Sequence, residues 1–296
     1  PLISLMGSRI QLQEAYVSIK RVFGILDSPI EIDENLSSTK QINKGKIEFR
    51  NVEFGYTDEK RVLNDICITF DGGRSSAVIG ETGCGKSTLS SLIYKLWNVD
   101  KGEIFIDDIN INEYSVEELR KKICIVTQDA YLFNDSIRNN ILLGETVEES
   151  KLDYIIKCAK LDKPISSLPD GIDTQIGEKG IRLSGGEKQR IAIARALFFQ
   201  PQIIIFDEST SALDNNTERA IMEAIQSSLK GHTLVFITHR LSSITDVDRI
   251  FVISDGRVVL SGKHDDLMEE SEYYRGLYER SKVGNYILDE SKIIHG

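Results

Sequence analysis

The chain has 296 residues, with 36 Lys and Arg against 46 Asp and Glu, a formal net charge of −10. Hydrophobic residues at 41% and charged residues at 28% describe a globular protein of one large or two small domains and exclude a disordered chain. The acidic balance disfavours nucleic acid and anionic membrane surfaces as partners, and no run reaches the ~18 apolar residues of a membrane-spanning helix.

In chain order, Leu12, Tyr16, Ile19, Phe23 and Leu26 step by fours and threes, a helix with an apolar stripe that ends at Asp27-Ser28-Pro29. Either this helix is amphipathic and lies on the domain that follows, or it connects to a segment upstream. Pro1 stands where Met would, with no signal-peptide pattern after it, so the sequence reads as a fragment of a longer protein. Residues 30–46 are polar and lack aromatics, a linker composition. Short β-type runs follow at residues 47–54, 66–70 and 76–79. The first alternates and suits an antiparallel edge; the third is wholly apolar and suits a buried parallel strand. Further apolar strands are predicted at residues 123–126, 203–206, 234–237 and 250–253, with helical patterns between them, so the core is an α/β sheet with crossovers. Residues 135–163 read as a helical insertion with Leu152, Ile155, Ile156 and Ala159 on one face, and the chain after Ser281 reads as a frayed tail. Cys67, Cys84, Cys124 and Cys158 have neither metal-type nor disulfide-type spacing, which fits a reducing compartment.

The predicted strand 76–79 runs into Gly80-Glu81-Thr82-Gly83-Cys84-Gly85-Lys86-Ser87-Thr88, the pattern G-x-x-x-x-G-K-S/T, with a helix expected from Leu89. Glycines let backbone N–H groups close around phosphate oxygens, Lys86 reaches the β- and γ-phosphates, and Ser87 offers an oxygen to Mg²⁺. Cys84 reads as a tolerated small residue or as an oxidation-sensitive thiol at a helix terminus. The run 203–206 ends in Asp207 and Glu208. Two acids there can simply cap a helix; downstream of a P-loop they suit a Mg²⁺-organising Asp207 and a general base Glu208 that takes a proton from attacking water. Leu183-Ser184-Gly185-Gly186-Glu187-Lys188-Gln189-Arg190 precedes an apolar helix closed by Pro201. Ser184 with Glu187 is a capping box, and the two glycines leave N–H groups open to an anion, a second phosphate site.

In this order, the motifs resemble those of the ATP-binding cassette (ABC) ATPases, from Ile47 to about Tyr278. The resemblance implies an α/β fold: a P-loop NTPase (RecA-like) core with an antiparallel β subdomain and a helical subdomain. Tyr56 matches the aromatic position that stacks on adenine. Gly80, Glu81, Thr82, Gly83, Cys84, Gly85, Lys86, Ser87 and Thr88 match the Walker A loop, and Gln128 the Q-loop glutamine that touches metal and attacking water. Leu183 to Gln189 is similar to the signature motif, with Glu187 where Gln is common, and Ser184, Gly185 and Gly186 would meet nucleotide. Asp207 and Glu208 match Walker B and the catalytic glutamate, Ser211-Ala212-Leu213-Asp214 the D-loop, and His239 the switch histidine at the γ-phosphate. The implied cofactors are ATP and Mg²⁺, the metal held by Ser87, Gln128 and Asp207. Glu208, His239 and Gln128 would be the catalytic residues.

The family resemblance also implies pairing: two identical cassettes head to tail, each nucleotide between Walker A of one and the signature of the other. Glu178-Lys179-Gly180 is similar to the exporter X-loop, and residues 127–133 and 136–141 to exporter Q-loop surroundings. The implied layout is the end of a last transmembrane helix at 1–28, a linker at 29–46, the ATPase domain at 47–280 with a helical subdomain at about 129–190, and a tail at 281–296. The implied whole is an exporter half-transporter with its own N-terminal transmembrane domain. It would hydrolyse ATP at the cytoplasmic face of the cell membrane to drive efflux, with no nucleic acid partner. A soluble ABC ATPase of DNA repair would carry a long coiled coil between Lys86 and Ser184, and an importer's ATPase subunit would lack the leading helix.

Overall fold

Strands that are apolar on both sides need cover on both faces, and this requirement organises the molecule. The computed structural model describes residues 2–27, 39–57, 60–177, 183–210, 213, 215–241 and 244–283. The chain runs through α1 (Leu2–Leu26), β1 (Ile47–Phe54), β2 (Leu63–Phe70), β3 (Ser75–Gly80), α2 (Lys86–Ile93), β4 (Lys101–Ile106), β5 (Ile109–Asn110) and α3 (Val116–Lys122). It continues through β6 (Ile123–Thr127), α4 (Ile137–Leu142), α5 (Glu149–Cys158), α6 (Asp162–Ser166), α7 (Gly185–Phe199) and β7 (Ile203–Asp207). Last come α8 (Asn215–Ser228), β8 (Thr233–Ile237), β9 (Arg249–Ser254), β10 (Arg257–Gly262), α9 (His264–Glu270) and α10 (Glu272–Val283).

A six-stranded sheet in the order β10-β9-β3-β8-β7-β6 is parallel except for β10. Alternate residues of its strands enter two different cores, as a period of two demands. Ala77, Ile204, Phe206, Leu234, Phe236 and Val252 join the helical core with Ile155 of α5, Ile191 of α7 and Ile221 of α8. Val78, Ile203, Ile205, Val235, Ile237 and Phe251 join the other core, under α2 and the second sheet. That second sheet is antiparallel, in the order β2-β1-β4-β5. The α/β class with an antiparallel sheet and a helical segment is therefore as expected.

Several local expectations are corrected. β1 is not an edge strand, because β2 and β4 pair with it on either side. Its alternation reports one buried face, which interior and edge strands share. Residues 42–46 do not behave as linker: Ile42 is buried in the core, and the Asp107 carboxylate accepts N–H groups from Asn43 (2.7 Å), Lys44 (2.9 Å) and Lys46 (2.9 Å). Burial pushes Asp107 up, but these bonds outweigh it and hold the carboxyl below its usual range.

The chain divides into two units, residues 1–34 and 35–296. In the first, α1 is longer than its predicted stripe, and Val17, Val22 and Ile25, off the stripe, are exposed along with Leu12, Tyr16 and Phe23. Val22 widens the stripe, and Val17 and Ile25 interrupt the polar side marked by Gln13, Glu14, Lys20 and Arg21. Among the described residues no helix is long and apolar enough to cross a membrane. Residues 29–38 of the predicted linker and residues 284–296 of the predicted tail lie outside the described residues.

Candidate nucleotide site

β3 ends in the loop 80–85, and α2 opens at Lys86, three residues before the predicted start, so Lys86, Ser87 and Thr88 form its first turn. Two glycines shape this entry. A Cβ on Gly80 would lie 2.2 Å from the Ile253 carbonyl oxygen; Gly85 has φ +103°, and a Cβ there would lie 2.6 Å from Leu63 Cδ2. Gly85 is the N-cap and supplies no capping side chain, so the first-turn N–H groups keep their positive potential for an anion. Lys86 is 5% exposed, and its Nζ donates to the carbonyls of Gly80 (2.9 Å) and Glu81 (2.8 Å), which hold the ammonium within the loop.

Asp207, at the end of β7, meets this first turn. Ser87 Oγ donates to its Oδ1 (2.9 Å) and Ser90 Oγ to its Oδ2 (2.9 Å). Ser90 went unread in the sequence, although three residues after Ser87 it falls on the same helix face. Phe206 stacks on Phe236 at 5.1 Å and steadies the strand ends behind the carboxylate. Burial pushes Asp207 up, opposed by the two serine bonds, and burial prevails.

Glu208 follows with φ +49°, a left-handed conformation that costs a non-glycine residue about 1–2 kcal/mol. Its N–H donates to the Ile237 carbonyl (2.8 Å), and its Oε1 lies 3.5 Å from His239 Nδ1 on the loop after β8. A buried clip braces this corner. Glu218 of α8, 1% exposed, accepts from Thr210 Oγ1 (2.7 Å) and Arg240 Nη1 (3.0 Å), and Arg240 also donates to the Leu213 carbonyl (3.1 Å). Nothing in the local sequence announces Glu218 or Arg240, because the pair is 22 positions apart and exists only in the packed chain.

Tyr56 is about half exposed; its hydroxyl is 3.2 Å from Thr88 Oγ1, and its ring stands edge-on to Trp97. Beside it a cavity of about 600 Å³ is lined by Lys60, Asn64, Glu81, Thr82, Gly83 and Cys84 among others. Cys84 is buried, and burial pushes its thiol up, which argues against the oxidation-sensitive reading. Gln128 follows β6, and its carbonyl accepts from Gln189 Nε2 of α7 (3.2 Å). Ser184 caps α7, with Gly185 and Gly186 as its first two residues. Asp214, Ser211, Ala212 and Glu178-Lys179-Gly180 lie outside the described residues.

The donors suit Mg²⁺. Ser87 and Asp207 present hard oxygens to one point, and no group of three or more His, Cys, Asp or Glu able to hold a metal exists among the described residues. A metal here would complete its shell with water and phosphate oxygens, as Mg²⁺ does.

The sequence model of the ABC transporter family matches residues 63–211, half of the chain. The chain belongs to the ABC transporter family. It carries that family's ATPase domain, and with it ATP binding. This ABC domain is 38% identical over 287 residues to the ATP-dependent lipid A-core flippase of Legionella pneumophila (strain Paris), covering 96% of this chain and 48% of that protein. It is also 38% identical over 282 residues to ATP-binding cassette sub-family B member 6 of Xenopus tropicalis, covering 95% of this chain and 33% of the other. A bacterial Atm1-family ABC exporter solved with ATP bound matches with a TM-score of 0.83 at 36% identity, over 91% of this chain and 48% of that one. The chain thus spans half or less of the length of these relatives.

Proposed function

We propose that this ABC domain hydrolyses ATP to power export through a membrane domain, at the cytoplasmic face of the cell membrane. The observation that carries the reading is Glu208, held in a strained conformation between the carboxylate bonded by Ser87 and the His239 ring. In this reading Tyr56 stacks on adenine, the N–H groups of residues 80–88 and Lys86 hold the phosphates, and Lys86 exchanges its two carbonyl partners for phosphate oxygens. Ser87 and Asp207, with Gln128, would hold Mg²⁺, which neutralises charge on the β- and γ-phosphates. Glu208 accepts a proton from water in line with the γ-phosphorus, His239 orients against the γ-phosphate oxygens, and Gln128 positions the same water.

Ser184, Gly185 and Gly186 are given no phosphate partner by their own chain in this reading. Two identical domains would pair head to tail, the α7 start of one over the P-loop of the other, with Asp214 at the seam; ATP closes the pair and hydrolysis opens it. The kinship with a lipid A-core flippase and an Atm1-family exporter supports an exporter with its own transmembrane domain over an importer subunit or a soluble ABC ATPase. Phosphate release tests the centre of the proposal. Glu208→Gln should lower turnover by roughly 100-fold or more while ATP affinity stays within a few fold; undiminished release would remove Glu208 as the base.

A further inference from the structure

A second cavity, of about 590 Å³, shares no lining residue with the one beside Tyr56. Lys157 at the end of α5, Lys160 just after it, Lys163 of α6 and Arg190 of α7 line it, against the single acid Asp162. In a chain of net charge −10 this is an inverted local balance. None of these four cationic groups has an ion pair or hydrogen bond among the described residues, whereas Arg138 nearby in sequence pairs with both Glu149 and Asp173. Cations at a helix C-terminus complement its dipole, which accounts for Lys157 and Lys160. It does not account for Arg190, in the first half of α7, whose Nε is buried without a partner. The three lysines are exposed and Arg190 is partly so, but the buried Nε left without a partner is a cost that an anion reaching it from the cavity would relieve.

We propose that this cavity is a second anion site, separate from the nucleotide site, for a small molecule bearing a chain of phosphates. The guanidinium fork engages phosphate oxygens in pairs, and the lysines add point charges. A single carboxylate would leave most of the charge uncompensated, and the volume is that of a small-molecule pocket. Because the cavity joins α5 and α6 to Arg190 of α7 and Thr217 of α8, a bound polyphosphate would tie the helical segment to the helix that follows Asp207. The proposal does not depend on how ATP is hydrolysed.

The test is calorimetry on the 296-residue chain carrying Lys86→Ala, which disables the P-loop, with inorganic tripolyphosphate as probe and ATP in parallel. One equivalent of tripolyphosphate should bind, at least 10-fold more weakly when salt rises from 50 to 300 mM, since the contact is ionic (on the order of one decade). Lys157→Gln/Lys160→Gln/Arg190→Gln should lose binding, and Lys157→Gln/Lys163→Gln, which leaves Arg190 in place, should weaken it several-fold with an unchanged melting curve. ATP binding comparable to tripolyphosphate identifies a nucleotide's phosphate tail as a ligand, and tripolyphosphate alone identifies an inorganic polyphosphate. No binding at millimolar tripolyphosphate, or equal affinity in the lysine variant and its parent, would overturn the site.

Discussion

Two helices of this domain have glycine at their start, as the N-cap of α2 and as the first two residues of α7, and their first turns are treated in opposite ways. α2 has no capping side chain at Gly85, and Ser87 and Ser90 of its first turns are bonded to Asp207. α7 closes on itself: Glu187 N–H donates to Ser184 Oγ (3.3 Å), while Glu187 Oε2 accepts from Ser184 N–H and Oγ (2.7 Å each). The first, the proposed phosphate site, has walls built by its own chain. In the second, the capping box satisfies the Ser184 and Glu187 N–H groups from within the chain, so an anion there has only the N–H groups of Gly185 and Gly186 to meet. If two domains pair as proposed, the capping box keeps the α7 start stable before they meet.

The largest effect should come from breaking the α2 side. Lys86→Ala removes a buried charge-assisted contact to phosphate, and ATP affinity measured by calorimetry should fall by about 100-fold; unchanged affinity would contradict the P-loop reading. Glu218→Ala leaves the Arg240 side chain without its carboxylate. Because Arg240 is partly exposed, the expected loss is about 2–3 kcal/mol in denaturant unfolding, below the cost for a fully buried pair, with turnover falling as His239 loses its brace. A stability change under about 0.5 kcal/mol would show that the clip is decorative.

The α7 side should respond only when two chains meet. Lys86→Ala and Ser184→Arg chains should each be inactive, and their mixture should regain a measurable part of the ATPase rate, since each mixed pair retains one intact composite site. No recovery would count against head-to-tail pairing. The smallest effect is expected from Glu187→Gln, which keeps a capping-box residue but removes a negative charge beside the proposed phosphate position. ATP-driven self-association, followed by light scattering, should tighten by a few fold, and weaker association would show that the carboxylate is needed there.

Reading residues in order was sufficient for the pieces whose chemistry is local. The glycine loop, the apolar strand ending in Asp207 and Glu208, and the Ser184–Glu187 box are contiguous, and each is intelligible from spacing alone. It failed where partners are distant. The start of α2 is a local exception: Lys86, Ser87 and Thr88 carry no apolar periodicity, although the backbone there is already helical. β4, β5 and β10 leave little pattern in the sequence because they are short or carry exposed polar residues. The interior position of β1 and the docking of residues 42–46 on Asp107 are decided by pairing across tens of residues.

By itself, then, the amino-acid order determined the α/β class, the phosphate loop and the identity of the acids at the strand end, because backbone geometry and side-chain chemistry at neighbouring positions dictate them. Only the tertiary structure decided that Ser90 shares Asp207 with Ser87, that Glu208 is turned toward His239 by a left-handed backbone, and that Glu218 clips Arg240 behind it. It alone gathered Lys157, Lys160, Lys163 and Arg190 around one hollow. Those relations depend on which buried faces meet, and a long-range contact leaves no trace in the spacing of the residues that make it.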